Sequence, residues 1–175
     1  MIKEPFNLQP YNTFGFAVAA EAGILVHSLS ELRDAIAYAN DKSLPLVTIG
    51  GGSNIVLKHR LPGLALIIRI PGIEIIQEDA QHVWVRVGAG VDWDEFVQHS
   101  LHQGWYGLEN LSIIPGTVGA CPIQNVGAYG VEIKDFFHEL TALEIKTLEE
   151  KVLSKAACQF GYRDSIFKNE YRDQY

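Results

Sequence analysis

Residues 46–54 are Leu46-Val47-Thr48-Ile49-Gly50-Gly51-Gly52-Ser53-Asn54, a short apolar run followed by three consecutive glycines and two polar residues. The apolar run is typical of a buried strand. Glycine accepts positive φ angles and exposes backbone N–H groups, which can converge into a concave nest for a phosphate. Ser53 and Asn54 add side-chain donors to such a nest. A plain tight turn is the alternative interpretation of a glycine run taken by itself.

Two better-known nucleotide motifs are excluded for this stretch. A P-loop would continue with Gly-Lys and then Ser or Thr, and these residues do not follow here. A Rossmann fingerprint would have its third glycine where Ile55 stands. The glycine run is therefore a candidate phosphate loop of another kind.

The residues before this stretch predict a strand and then a helix. Residues 23–27 are short and apolar, as expected of a buried strand, and apolar residues recur at helical spacing over 31–41. The N-cap of this helix is either Ser30 or Ser28, the latter in a capping box with Glu31. A crossover of this length favours parallel pairing of the strands on either side of the helix.

The pattern changes at about residue 60. Apolar or alternating runs predict strands over 64–68, 73–77 and 82–87. A second helix opens at Asp92 and Glu95, which have capping-box spacing, and Gly104 ends it. We therefore expect an α+β protein of two units, a small βαβ unit over 1–60 and a mixed, β-rich α+β unit over 61–175.

A second glycine-rich segment extends from Ser112 to Gly130. Glycine or proline recurs every few residues and the segment carries almost no charge, whereas a surface loop normally carries charge. This pattern favours a buried chain that turns repeatedly and passes close to something large and flat. Gln124 and Asn125 could hydrogen-bond the edge of a heteroaromatic ring. A glycine-rich structural crossing between subdomains is the alternative.

The third informative segment is Phe160 to Lys168, which contains Arg163 beside a carboxylate, a hydroxyl and aromatic residues. A guanidinium presents a planar fork that suits a carboxylate or a phosphate. A structural ion pair between Arg163 and Asp164 is the alternative. Cys121 lies in the glycine-rich segment and is interpreted as a small buried hydrophobe rather than a reactive thiol.

Composition restricts the classes of protein to consider. Lys and Arg number 14 and Asp and Glu 21, so the formal net charge is −7, which disfavours binding to nucleic acid or to an anionic membrane. No apolar run is long enough for a transmembrane helix, and the start of the chain lacks the pattern of a secretory signal. The two cysteines are no disulfide framework and no metal set, so a reducing cytoplasm is expected.

These segments together resemble the MurB family, the UDP-N-acetylenolpyruvoylglucosamine reductases of bacterial cell-wall synthesis. The complete runs over 124–130 and 163–168 are similar to those of the type I branch. Six motifs match in order from about residue 11 to the end of the chain. They are Tyr11-Asn12-Thr13-Phe14-Gly15, Ile49-Gly50-Gly51-Gly52-Ser53-Asn54, Gly107-Leu108-Glu109-Asn110-Leu111, Ile114-Pro115-Gly116-Thr117-Val118-Gly119, Ile123-Gln124-Asn125-Val126-Gly127-Ala128-Tyr129-Gly130 and Phe160-Gly161-Tyr162-Arg163-Asp164-Ser165-Ile166-Phe167-Lys168.

The resemblance implies an FAD enzyme with the PCMH or vanillyl-alcohol-oxidase-like fold, in which two α+β subdomains hold FAD between them and a C-terminal domain closes over the substrate. The implied reaction is the NADPH-dependent reduction of UDP-N-acetylglucosamine enolpyruvate to UDP-N-acetylmuramate in peptidoglycan precursor synthesis. Hydride is delivered from the flavin to C3 of the enolpyruvyl group, and C2 is protonated. The implied working form is a cytoplasmic monomer that acts on a small UDP-sugar, with no nucleic-acid or membrane partner.

By motif position, the resemblance also implies which residues form the site. Arg163 would be catalytic, since it would bind the enolpyruvyl carboxylate and stabilise negative charge that develops on the substrate. Tyr129, Tyr162 and Arg163 would contact the substrate. The cofactor-binding residues would be Gly50, Gly51, Gly52, Ser53, Asn54, Pro115, Gly116, Gly119, Ala120, Cys121, Ile123, Gln124, Asn125 and Gly127.

The chain departs from the family pattern in two places. The family commonly has serine where Cys121 stands, which puts a hydroxyl contact to the flavin in doubt. The family's serine proton donor and its late glutamate lie in the C-terminal domain, beyond Tyr175. We therefore expect an N-terminal, FAD-binding part that is inactive alone. The alternatives are another flavin oxidase or dehydrogenase of the same fold and a non-catalytic nucleotide-binding module.

Overall fold

The structure, a computed structural model, describes residues 1–175. Its strands are β1 (Phe6–Asn7), β2 (Ala19–Val26), β3 (Leu46–Ile49), β4 (Leu61–Ile68), β5 (Ile73–Glu78), β6 (Val83–Val87), β7 (Gly127–Ala128), β8 (Val131–Glu132), β9 (Glu139–Leu143) and β10 (Glu150–Ser154). Its α-helices are α1 (Leu29–Asp41) and α2 (Trp93–His102), and neither has the length and apolar character needed to cross a bilayer. Short 3-10 helices cover Gln9–Tyr11, Glu109–Leu111, Val118–Gln124, Ile133–Asp135 and Ile166–Lys168.

The main sheet has four strands in the order β1-β2-β4-β3. Both β2 and β3 pair with β4 in parallel, and β1 pairs with β2 in the antiparallel direction. The strands on either side of α1 are therefore parallel, as expected, but the prediction that they pair with each other is wrong. The reason lies in β4, whose residues 63–68 are all buried, because a strand that is apolar on both faces is stabilised most at the centre of a sheet.

This topology bears on the boundary that the sequence predicts at residue 60. The central strand of the first unit is β4, which begins only at Leu61. The antiparallel hairpin of β9 and β10 also returns to this unit, because Leu143 packs in the same cluster as α1 and the sheet. Arg33 of α1 donates to Glu150 at 2.7 Å and to the Leu148 carbonyl at 3.4 Å. We propose that the first unit comprises residues 1–68 and 139–154.

The start of α1 shows which of the two candidate caps is used. The Ser28 hydroxyl accepts from the Glu31 N–H at 3.2 Å, and the Glu31 carboxylate accepts from the His27 N–H at 2.7 Å. The N-cap is therefore Ser28, and Ser30 lies inside the helix. Satisfying the free N–H groups of the first turn in this way stabilises a helix by about 1 kcal/mol.

The middle of the chain forms a second core around α2. Asp92 is the N-cap, as predicted, and its carboxylate accepts from the N–H groups of Asp94 and Glu95. The Trp93 side chain is buried, and its indole N–H donates to the Leu111 carbonyl at 2.7 Å. Through this contact α2 holds the start of the glycine-rich segment. The same cluster contains Phe96, Val97, Leu111, Cys121, Val126 and Ile133.

Candidate functional site

The loop of residues 50–54 leaves the end of β3 and is held by its neighbours. Gly52 has φ +70°, and a Cβ there would lie 2.0 Å from the Tyr11 carbonyl oxygen. The Thr13 N–H donates to the Gly52 carbonyl at 3.2 Å, and the Arg69 guanidinium donates to the Gly50 carbonyl at 3.1 Å. The loop is therefore fixed from two sides, and of its three glycines only Gly52 requires positive φ.

The two glycine-rich stretches meet, backbone against backbone. A Cβ at Gly51 would lie 2.8 Å from the Gly116 Cα, and a Cβ at Gly50 would lie 2.6 Å from the Thr117 hydroxyl oxygen. Glycine is needed at these two positions because the two stretches approach each other closely, and not because φ is positive. Gly116 itself has φ +134°, and a Cβ there would face almost open space. The surface formed where these two stretches of main chain meet carries almost no charge, and it is the candidate groove for a ligand.

Polar side chains join the same two stretches at the surface. The Ser53 hydroxyl donates to the Pro115 carbonyl at 3.4 Å. The Asn54 amide donates to the Gln124 side-chain oxygen at 3.3 Å. Both bonds are long and exposed, so they are easily exchanged for bonds to a ligand. Four of the residues expected to bind a cofactor are thus in direct contact across the groove.

The segment from Ser112 to Gly130 is buried only in part, so the expectation of a buried chain is wrong for its outer residues. Pro115, Gly119 and Ile123 are exposed, and Ile123 keeps 42% of its surface accessible. A Cβ at Gly119 would lie 2.6 Å from the Ala89 Cβ, so this glycine allows the segment to pack closely against the loop between β6 and α2. An uncharged, partly apolar surface of this kind is the face expected to cover a flat ligand.

Three of the expected cofactor-binding residues are buried and face away from solvent. The Cys121 thiol is buried in the second core, and its S–H donates to the Thr117 carbonyl at 3.5 Å. Burial raises the pKa of the Cys121 thiol to about 12, and the nearby Asp92 carboxylate adds to the effect. A Cβ at Gly127 would lie 2.7 Å from the Val131 carbonyl. Asn125 is wholly buried, so its amide is not available to the edge of a ligand ring.

Asn125 instead connects the glycine-rich segment to the loop that carries Arg163. Its amide donates to the Gly161 carbonyl at 2.8 Å, and its side-chain oxygen accepts from the Lys134 N–H at 3.2 Å. A second bond runs in the opposite direction, because the buried Ser165 hydroxyl donates to the Ile123 carbonyl at 2.7 Å. These bonds fix the Arg163 loop against the wall of the groove.

The Arg163 side chain is exposed on this fixed loop, and its backbone is left-handed with φ +53°. The guanidinium carbon lies 5.9 Å from the centre of the Tyr162 ring, which is 84% exposed. The alternative of an ion pair with Asp164 is not what the structure has, since the Asn169 amide donates to both oxygens of that carboxylate. The Lys168 ammonium donates to the Arg163 carbonyl at 2.8 Å. The guanidinium is therefore free to bind an anion.

Tyr129 lies at the other end of the segment, 88% exposed and with φ +51°. It lines a cavity of about 570 Å³ that also includes Pro115, the residue before Gly116. Its other lining residues are Glu109, Asn110, Ser112, Ile113, Ile114 and Ala128. No contact joins Tyr129 to Tyr162 or Arg163, so the three expected substrate residues are not brought together directly.

Sequence reasoning missed one residue that helps to build the site. Asp94 of α2 accepts from the Ser112 hydroxyl at 2.8 Å and from the Ile113 N–H at 2.6 Å. The bond from the Ile113 N–H and, to a smaller extent, the bond from the Ser112 hydroxyl lower the pKa of Asp94 below its usual range. They also hold Ile113 at φ +64°, just before Pro115. Asp94 carries no sequence signal for this role, because its partners lie far along the chain.

Comparison with known proteins gives a consistent set of relatives. The model of the FAD binding domain family matches residues 20–153. The chain is 49% identical over 169 residues to the UDP-N-acetylenolpyruvoylglucosamine reductase of Pseudomonas fluorescens strain Pf0-1, a match that covers 97% of this chain and 50% of that protein. The chain thus spans about half the length of the curated relatives it matches.

Solved structures have the same fold. The crystal structure of the reductase MurB from Thermus caldophilus is similar with a TM-score of 0.70 and 29% identity, over 94% of this chain and 57% of that chain. A VAO-type flavoprotein from Myceliophthora thermophila is similar with a TM-score of 0.57 and 14% identity, over 79% of this chain and 27% of that chain. At that identity the second likeness shows the fold alone. The expected α+β fold of the vanillyl-alcohol-oxidase type is confirmed.

Proposed function

Because this chain belongs to the FAD binding domain family, we propose that it forms the FAD-binding part of a UDP-N-acetylenolpyruvoylglucosamine reductase. The observation that carries the proposal is the approach of Gly51 to Gly116, where a single added Cβ would lie 2.8 Å from the opposing Cα. Two stretches of partly buried main chain meet there without side chains between them. Such a cradle suits a dinucleotide, whose pyrophosphate binds to backbone N–H groups.

The residues present fit FAD in their chemistry. The Gly50–Asn54 loop offers backbone N–H groups and two polar side chains for the pyrophosphate. The outer residues of the second stretch, Pro115, Gly116, Gly119, Ala120, Ile123 and Gln124, form an uncharged wall for the flavin and its ribityl chain. Cys121, Asn125 and Gly127 support that wall from behind. FAD supplies the redox chemistry when bound, and the chain supplies binding and orientation.

Arg163 is proposed to bind the carboxylate of the enolpyruvyl substrate. Its guanidinium is exposed and has no carboxylate partner, while the Asn125 and Ser165 bonds hold the loop on either side of it. A fixed cation stabilises the negative charge that develops on the substrate in the transition state more than it stabilises the substrate before the reaction. Tyr162, beside the guanidinium, and Tyr129, at the cavity, are proposed to contact the rest of the UDP-sugar.

The proposal includes NADPH as the reductant and a cytoplasmic monomer as the working form. Cys121 and Cys158 are both free and buried, as is usual in a reducing compartment. The chain spans half the length of the reductases it matches, so we propose that it binds FAD without turning over substrate by itself. Steady NADPH oxidation that depends on the enolpyruvyl substrate would contradict this last point.

The test is a titration of the purified chain with FAD, followed by the visible absorption bands of the flavin. We expect the wild type to bind FAD and Gly51→Val to bind it much more weakly, because a branched side chain would separate the two stretches. Gly104→Ala is the matched control. It strains a glycine at φ +76° beyond the end of α2 and should lower stability without changing FAD affinity. A wild-type chain that does not bind FAD refutes the proposal.

A further inference from the structure

A pair of exposed aromatic rings lies on the segment that borders the glycine loop. Phe14 is 62% exposed and Phe16 is 40% exposed, and their ring centres are 5.5 Å apart with 25° between the planes. Both rings are stacked on each other rather than packed in a core cluster. Two adjacent phenyl rings in water are unfavourable by the hydrophobic effect, so their exposure calls for an explanation.

The segment that carries these rings is held by one buried side chain. Asn12 is 6% exposed, and its amide donates to the Leu8 carbonyl at 2.9 Å and to the Phe16 carbonyl at 3.2 Å. Its side-chain oxygen accepts from the Phe16 N–H at 2.9 Å. The side chain of Asn12 thus closes the loop from Asn12 to Phe16 onto itself. The fold therefore fixes the backbone at Phe16, beside which the Phe14 ring stacks.

The same segment touches the glycine loop directly. The N–H of Thr13, the residue before Phe14, donates to the Gly52 carbonyl at 3.2 Å. The Tyr11 carbonyl lies so close to Gly52 that any Cβ there would overlap it. The aromatic pair is therefore tied to the proposed phosphate loop by main-chain contacts on both sides of Asn12.

We propose that Phe14 and Phe16 form a stacking platform for a planar heteroaromatic ring of the bound dinucleotide. The ring is either the isoalloxazine or the adenine, since both present a flat π face of the kind that stacks on aromatic side chains. The platform rests on the proposed function, because it assumes that a dinucleotide lies on the Gly50–Asn54 loop. It adds a binding element on the N-terminal side of that loop.

The experiment measures the affinity of the 175-residue chain for FAD, riboflavin and ADP by isothermal titration calorimetry. Phe14→Ala should weaken FAD binding about 5- to 150-fold, which corresponds to the ~1–3 kcal/mol of one base–aromatic stack. Weaker binding of riboflavin with unchanged ADP supports the isoalloxazine as the stacked ring. Weaker binding of ADP with unchanged riboflavin supports the adenine.

Controls separate stacking from folding. Phe14→Tyr keeps the aromatic face and should bind FAD like the wild type, and Phe14→Leu keeps an apolar side chain of similar size but should bind weakly. Tyr106→Ala removes another exposed aromatic side chain, 79% accessible and just beyond α2, and should leave the affinity unchanged. If Phe14→Ala and Phe14→Leu bind FAD as tightly as the wild type, the platform is refuted while the proposed function stands. A wild type that binds none of the three probes overturns both.

Discussion

Replacing Asn125 is expected to destabilise the chain strongly, because this one side chain satisfies two separate backbone groups. It follows the 3-10 helix of Val118–Gln124 in the left-handed conformation, with φ +45°. Its amide donates to the Gly161 carbonyl and its oxygen accepts from the Lys134 N–H. No part of the side chain is exposed to solvent, so water would not easily replace it.

The size of the effect follows from these contacts. Alanine would leave two partly buried backbone groups unpaired, at ~1–3 kcal/mol each, and the lower end applies because both partners are only partly buried. The left-handed backbone adds a further cost of ~1 kcal/mol for alanine, which tolerates this conformation less well than glycine or asparagine. We therefore expect Asn125→Ala to lower the free energy of unfolding by ~3 kcal/mol. For a chain of this length that lowers Tm by about 6–12 °C.

Asn125→Gly separates the two contributions. Glycine loses both hydrogen bonds but accepts positive φ, so it should be less destabilising than alanine by ~1 kcal/mol. The measurement is urea unfolding followed by tryptophan fluorescence, together with the rate of tryptic cleavage after Arg163. Both variants should be cleaved faster than the wild type, because the Arg163 loop loses one of its two anchors. An alanine variant within ~0.5 kcal/mol of the wild type, with an unchanged cleavage rate, would refute the reasoning.

Three further outcomes can be checked on the same chain. The native chain should not react with Ellman's reagent at pH 8, because burial raises the pKa of Cys121 to about 12 and of Cys158 to about 11, and fast reaction before unfolding would contradict this. Asp94→Asn should be less stable than the wild type at neutral pH. The pKa of Asp94 is lowered by folding, so that difference is lost as pH falls through the folded pKa and should be smaller at pH 3 than at pH 7, which urea midpoints at the two pH values test. Trp93→Phe should lower the free energy of unfolding by ~1–3 kcal/mol, since the Leu111 carbonyl loses its donor, and an unchanged urea midpoint would show that bond to be unimportant.

Features that depend on near neighbours were predictable from the sequence. The cap of α2 at Asp92 is one example, because its partners are two and three residues away. The central place of β4 was not predictable, because strand order depends on which apolar faces fit together and not on any local pattern. The same limit applies to the two short strands β7 and β8, which pair only with each other.

The candidate site divides in the same way. The glycine run and the glycine-rich segment were identified from composition, and in the structure the two stretches meet. The inward orientation of Cys121 and the use of Asn125 as a connector were not predicted, since both depend on residues that fold back from elsewhere in the chain. The free guanidinium of Arg163 was one of two open interpretations, and only the position of Asn169 decides between them.

The return of the β9–β10 hairpin to α1 makes the middle of the chain an insertion tethered at both ends. One tether leaves β4 at Ile68, and the other enters β9 at Glu139, which lies opposite Ser154 in the hairpin whose far end is joined to α1 by the Arg33 and Glu150 ion pair. A segment held at two points cannot swing about a single linker as a hinged domain does. The walls of the groove are therefore preorganised, so a dinucleotide that enters it has little closure entropy to overcome.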